Sequence, residues 1–438
     1  MTESEPGRVD RAARGKSSTA SPADTAVRSR CPASERATGS PFRRWWRLAL
    51  MLVVVPLAVA ASLVALGVLV PGLPVVGEVG TGLVGTFPLY AALISVLVVL
   101  LGAVLWSTGA RYGGGTGMAL GGFGTASALI VLFGQLGFAA TQGVSVSWWE
   151  LLTVPHQPAA QPDRTVRYAT VGGVELELSV WLPDRPAARP RPAAVWVHGG
   201  GFVAGHRDEL PGVDRWLADR GYPVFDIDYR LAPPPRWRDA SQDVACALAW
   251  VAEHAAEYQV APDRIALVGG SAGGSLSLNV AYGLAGGRIS SSCGGTPPTP
   301  AVAVGFYPAA DIAGIYHDGG PFDYQHRVGN AYLGGSPEQF PDRYRAASAT
   351  SRIRPGLMPT LLVTGGGDHL IEQSRVTGIA DRLAAADVPH RTVVVPYGEH
   401  AFDISYGGVG GQISRQVLGQ FLGRHLPTEE PANASSSG

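Results

Sequence analysis

Lysine is almost missing from this chain of 438 residues: Lys16 stands alone, and arginine carries the rest of the positive charge. Charge of either sign is scarce, at 16% of residues, and the two signs cancel, with 34 Lys+Arg against 35 Asp+Glu. No broad basic face is left to hold a polyanion, so a nucleic acid is not expected as a partner. Cysteine is equally sparse. Cys31, Cys246 and Cys293 form no CxxC pair and no Cys/His cluster of zinc spacing, so no metal site is expected. Cys246 and Cys293 leave two readings open: a disulfide, should that half of the chain lie outside the cytoplasm, or two small buried apolar residues.

What the chain has in excess is apolar bulk, 46% of residues, and it is unevenly spread. Residues 1–47, rich in Ser, Ala, Arg, Thr and Pro and ending in "PFRRWWR", read as a disordered basic tail. Uncharged apolar runs follow at about 48–70, 87–106 and 117–140. Each is long enough to cross a hydrocarbon core of roughly 30 Å at about 1.5 Å per residue, so three transmembrane helices are expected. Arg43, Arg44 and Arg47 precede the first run and Arg111 follows the second, while Glu78 is the only charge between them. The positive-inside rule then keeps the tail in the cytoplasm and puts everything after residue 140 outside the cell membrane, with Trp148 and Trp149 in an outer interfacial belt. The runs hold no ionisable residue, which gives a transporter no support.

A linker over 141–164 leads to a different pattern. Short apolar runs such as "AAVWVHG", "RIALVGG", "AVAVGFYP" and "PTLLVTGG" alternate with helical stretches, the mark of a mostly parallel sheet covered on both faces. The catalytic domain is expected over 165–425, with a disordered tail over 426–438.

The stretch "LVGGSAGGSL" places Ser271 between a strand and a helix, in a Gly-x-Ser-x-Gly turn that lifts its hydroxyl above the carboxyl end of the sheet. "GGSAGG" lacks the spacing of a dinucleotide fingerprint and the lysine of a P-loop, so no cofactor is expected there. In "WVHGGGF" a run of glycines lets backbone amides approach an oxyanion, and Gly200 and Gly201 with Ala272 are the candidate donors. His198 is expected to brace that loop. A serine hydroxyl needs a base, and the base an orienting carboxylate. Asp368 and His400 follow later strands in the order Ser, Asp, His, with Asp311 and Asp403 as rival acids. Glu399 is expected to point away, and His206, His317, His326 and His369 to be ordinary loop or surface histidines.

With "HGGGF", "DYRLAP", "GGSAGG", "GGGDHL" and "GEHAF" in order, residues 165–425 resemble the α/β-hydrolase superfamily, in its hormone-sensitive-lipase-like and bacterial carboxylesterase branch. The resemblance implies an α/β-hydrolase fold behind three transmembrane helices, with Ser271 as nucleophile, His400 as acid and base, Asp368 as its orienting carboxylate, and Gly200, Gly201 and Ala272 as oxyanion hole. Many relatives carry "GDSAGG" where this chain has Gly270 before the serine, and the short linker leaves little room for an N-terminal helical cap. A lid could come instead from 311–356, with its aromatic residues Tyr316, Phe322, Tyr324 and Tyr332, or that stretch is ordinary core. The expected activity is that of a membrane-anchored serine carboxylesterase acting on a small-molecule or lipid ester. The alternatives are an acyltransferase using the same triad and a non-catalytic sensor or binding protein.

Overall fold

The first four helices of the computed structural model, which describes residues 41–428, are α1 (Pro41–Leu69), the short α2 (Val76–Gly80), α3 (Pro88–Ser107) and α4 (Arg111–Thr141). Of the tails expected over 1–47 and 426–438, residues 1–40 and 429–438 lie outside the described residues. α1, α3 and α4 are long and apolar enough to cross a membrane. Where disorder was expected to reach residue 47, residues 41–47 are instead the opening turns of α1.

α4 has 31 residues, about 46 Å at about 1.5 Å per residue. A hydrocarbon core needs only roughly 30 Å. The surplus is used: Leu132 and Ala139 are buried with Phe402, Val409 and Leu418 of the C-terminal domain. Gln135 donates to the carbonyls of Gly85, at 2.7 Å, and Pro396, at 3.1 Å. The expected linker is equally engaged. Ser147 caps α5 (Trp148–Thr153), the Gln412 side chain bonds both backbone groups of Ser147, and Glu150 pairs with Arg415 at 2.6 Å. Trp148 and Trp149 stay exposed.

Eight strands form one sheet in the order β1 (Arg164–Val171), β2 (Val174–Trp181), β4 (Val224–Ile227), β3 (Arg191–Val197), β5 (Val260–Gly270), β6 (Val302–Phe306), β7 (Thr360–Gly365) and β8 (His390–Val395). β1, β2 and β4 pair antiparallel, and every pairing from β4 through β3 to β8 is parallel. The helices are α6 (Pro211–Ala218), α7 (Asp239–Glu253), α8 (Ala272–Ala285), then α9 (Ile312–Asp318), α10 (Tyr324–Leu333) and α11 (Pro341–Ala347) between β6 and β7, and finally α12 (Gln373–Ala385) and α13 (Val409–His425). Alternate strand residues point to opposite faces. Val195, Val197, Leu267 and Leu362 are therefore buried under α7, α8 and α12, while Ala194, Trp196, Val268 and Val363 meet α6 and α13. Both faces of the parallel strands are covered, which is why these strands read as unbroken apolar runs.

Cys246 of α7 and Cys293 form a disulfide with a Cα separation of 5.6 Å, closing a span of 47 residues. On the chain-entropy model such a loop is worth roughly 4 kcal/mol. Beside it, Arg230 of "DYRLAP" makes a two-pronged bond to the buried Asp243, 2.7 Å on each prong, and Ser292 donates to the same carboxylate. The end of the chain is less free than expected, since Tyr222 donates to the Leu426 carbonyl and Arg264 to that of Pro427.

Candidate active site

Ser271 joins β5 to α8 with φ 54° and ψ −120°, outside the regions that non-glycine residues normally occupy. The Ser271 amide donates to the Phe306 carbonyl at 2.8 Å and its carbonyl accepts from the Ser275 amide at 2.9 Å, so both sides of the turn are held. Such a turn demands close approach of α8 to β3. A Cβ at Gly273 would lie 2.0 Å from the Val197 carbonyl oxygen, so no larger residue fits there.

The loops after β7 and β8 bring Asp368 and His400 to that serine. His400 Nε2 lies 3.0 Å from Ser271 Oγ, and His400 Nδ1 lies 2.9 Å from Asp368 Oδ2. The other Asp368 oxygen accepts the amides of Leu370, at 2.9 Å, and Ile371, at 2.7 Å, which fixes the carboxylate's orientation. Burial disfavours a charged His400, but the adjacent Asp368 carboxylate, with Glu399 and Asp403 behind it, outweighs this and holds the imidazole above its ordinary value. The rival acids are engaged elsewhere: Asp403 accepts the Tyr307 hydroxyl at 2.8 Å, and Asp311 caps α9 and reaches Arg375.

Gly201, Ser271 and Ala272 share the wall of a mostly apolar pocket that is partly open to solvent. Ala272 is the first residue of α8, so its amide has no acceptor within the helix. At Gly201, φ is +62° and a Cβ would come within 2.5 Å of the Tyr324 hydroxyl. Gly200 lies one residue behind and does not line the cavity. His198 stacks on Tyr229 at 4.3 Å between ring centroids, and Tyr229 donates to the carbonyls of His198 and Gly199, which braces the glycine run.

Most of the remaining lining comes from the connection between β6 and β7, with Ile312, Ile315, Tyr316, Tyr324, Val328 and Tyr332, while Phe202 after β3 and Leu370 and Ile371 after β7 complete it. Of the residues singled out there, Phe322 points to solvent instead. Both readings of that stretch therefore hold in part, because Ile312, Ile315 and Tyr332 also belong to the core.

His317 and His326 bond locally, to Glu338 and Asp323. His369 and Glu399 depart from expectation. They pair with one another at 2.6 Å, partly buried, each next in sequence to a member of the Asp368–His400 pair. Sequence reasoning passed over both because adjacency to a motif does not reveal a partner.

Among the described residues, Asp208, Asp214 and Asp226 bring carboxylate oxygens within 4.8 Å of one another. Burial, then neighbouring carboxylates, push Asp214 and Asp226 well above the carboxylate range.

A family model described as BD-FAE matches residues 178–383. The probable carboxylic ester hydrolase LipM of Mycobacterium tuberculosis is 29% identical over 284 residues, which cover 61% of this chain and 62% of LipM. The carboxylesterase NlhH of the same organism is 34% identical over 165 residues, 36% of this chain and 49% of NlhH. The chain thus spans about half to two thirds of these relatives' lengths. Among solved structures, the apo form of Thermogutta terrifontis esterase 2 superposes with a TM-score of 0.52 at 23% identity, over 63% of this chain and 98% of that one. At that identity the likeness speaks for the fold.

Proposed function

Because the chain is an α/β-hydrolase of the hormone-sensitive-lipase-like carboxylesterase branch, we propose that it is a membrane-anchored serine ester hydrolase working through an acyl-enzyme on Ser271. The observation that carries this reading is the unbroken line from Ser271 Oγ through His400, at 3.0 and 2.9 Å, to Asp368, with Ser271 in the wall of an apolar pocket. Ser271 Oγ attacks the ester carbonyl carbon as its proton passes to His400 Nε2. The carbonyl oxygen gains the negative charge and faces the amides of Gly201 and Ala272, with Gly200 behind. His400 then gives its proton to the departing alkoxide. Water repeats the sequence, losing a proton to His400 and releasing the acid from Ser271. Asp368 stays ionised, keeps Nδ1 protonated and steadies the imidazolium each time it forms. The aromatic and aliphatic lining suits an apolar acyl or alcohol portion, whether of a small-molecule or a lipid ester.

The chain's three apolar helices and the arginines that flank them favour a multi-pass anchor with the catalytic domain outside the cytoplasm. The Cys246–Cys293 disulfide supports that side, since such bonds persist in oxidising compartments.

Turnover of chromogenic esters of increasing acyl length by the full chain, beside Ser271→Ala, tests the activity. The alanine form is expected to lose about 10⁴-fold or more. Equal turnover by both forms would remove Ser271 from the chemistry, and products carrying an added alcohol in place of water would make the protein an acyltransferase. Protease protection of the C-terminal domain in intact cells would contradict the orientation.

A further inference from the structure

The loops after β7 and β8 carry four adjacent titratable residues, Asp368–His369 and Glu399–His400, and the ester hydrolysis proposed above uses only the outer two. The inner two bridge the same loops. Glu399 Oε1 accepts the amides of His369, at 2.7 Å, and of His400 itself, at 3.0 Å. Its Oε2 faces His369 Nδ1 at 2.6 Å and accepts the hydroxyl of Thr81. His369 Nε2 lies 2.8 Å from the Pro71 carbonyl oxygen. Both ring nitrogens therefore face acceptors, and only the imidazolium can donate to both. Burial opposes that charge, yet the Pro71 carbonyl and the Glu399 carboxylate, helped by Glu78, hold His369 above its ordinary value.

Pro71 follows α1 and Thr81 follows α2, so the partners of this second pair belong to the connection between the first two membrane-spanning helices. Thr81 is 1% exposed. Its sequence separation from Glu399 is 318 residues, yet it reaches the carboxylate that orders the backbone of His400.

Building on the ester-hydrolase reading, we propose that Glu399 is a positioning residue for His400 and Asp368, and that the segment from Pro71 to Thr81 is the clamp that holds it. The membrane region is then part of the catalytic apparatus as well as its anchor. Glu399 acts in two ways. Its amide bonds fix the loop that aims the His400 ring, and its negative charge favours protonated His400. The other groups facing that ring are Asp368, the Ser271 hydroxyl, Asp403 and the ring of Tyr307.

The test uses the full chain in detergent micelles with a short-chain chromogenic ester. Glu399→Gln keeps the shape and removes the charge. It should lower kcat about 10- to 100-fold with KM nearly constant, as expected for slight misplacement of a reacting group. It should also shift the acid limb of kcat/KM to lower pH, because His400 then loses its proton more readily. Glu399→Asp keeps the charge without the reach, so its acid limb should stay while kcat falls. Thr81→Val should lower kcat several-fold in the native background and leave Glu399→Gln unchanged, the non-additivity of residues acting through one another. A Glu399→Gln enzyme with native kcat and native acid limb would overturn the positioning role. Additive effects of Thr81→Val and Glu399→Gln would overturn the clamp. Should Glu399→Gln fail to fold, Thr81→Val, which leaves the C-terminal domain's own sequence intact, decides the matter alone: native kcat overturns the proposal. Ser271→Ala separates the two readings. If it is inactive while Glu399→Gln is native, only the positioning role falls, whereas an active Ser271→Ala form removes the hydrolase reading itself.

Discussion

Two histidine–carboxylate pairs cross the same two loops, 2.9 Å apart in His400–Asp368 and 2.6 Å in His369–Glu399. They differ in their third partner. Beyond His400 stands a serine hydroxyl, which can give up its proton; beyond His369 stands the Pro71 carbonyl, which has none to give. The first pair is poised to cycle between neutral and charged imidazole. The second is satisfied only as an ion pair, so it stays put and acts as a strut. On the proposed reading, identical side-chain chemistry serves turnover beside Ser271 and geometry beside Pro71.

Breaking the serine-side pair has the largest expected effect. Asp368→Asn should lower kcat about 10⁴-fold, because the amide favours the wrong imidazole tautomer, while thermal unfolding shows the fold intact. A loss no greater than that of Glu399→Gln would erase the distinction between the pairs. Next in size, Gly201→Ala touches neither pair but sets a Cβ 2.5 Å from the Tyr324 hydroxyl at the edge of the proposed oxyanion site. A fall of about 10²-fold in kcat is expected from the displaced amide, read in steady-state kinetics on the same esters.

The pH profile sharpens the contrast further. His400 must be neutral to accept the serine proton, and its neighbours hold it above the ordinary value despite burial. The rate should therefore rise with pH through a midpoint above about 6.5. A kcat/KM profile from pH 5 to 9 with its midpoint at or below that value would contradict the electrostatic account of the serine side.

The smallest effect on turnover is expected far from both pairs. Replacing Cys246 and Cys293 together should lower unfolding stability by up to roughly 4 kcal/mol, the entropy of the closed loop, and leave kcat within about twofold. Denaturant unfolding and kinetics on one preparation would check it. A large fall in kcat there would mean that stability, rather than local geometry, limits the reaction.

The convergence of Ser271, Asp368 and His400 was legible because each follows a strand whose apolar run is visible in the sequence, and a parallel sheet collects its carboxyl ends along one edge. The glycines around the serine were legible too, since a tight turn against a neighbouring strand leaves no space for a Cβ. The partners of His369 and Glu399 were not. Their bonds run to Pro71 and Thr81, in a short connection whose sequence reads only as a loop between two apolar runs. The same holds for Gln135, a lone amide in an apolar helix until Gly85 and Pro396 arrive as acceptors.

The sequence by itself determined the three apolar helices, the alternating strands and helices, and the residue types at the strand ends, because periodicity and turn chemistry act over a few neighbouring residues. Only the tertiary structure decided that α4 runs on into the C-terminal domain, that Cys246 meets Cys293, and that the connection after α1 grips the loop of His400. The physical reason is range. A hydrogen bond or a disulfide is decided within a few ångströms, and residues hundreds apart in the chain come that close only once the sheet and the helices have packed.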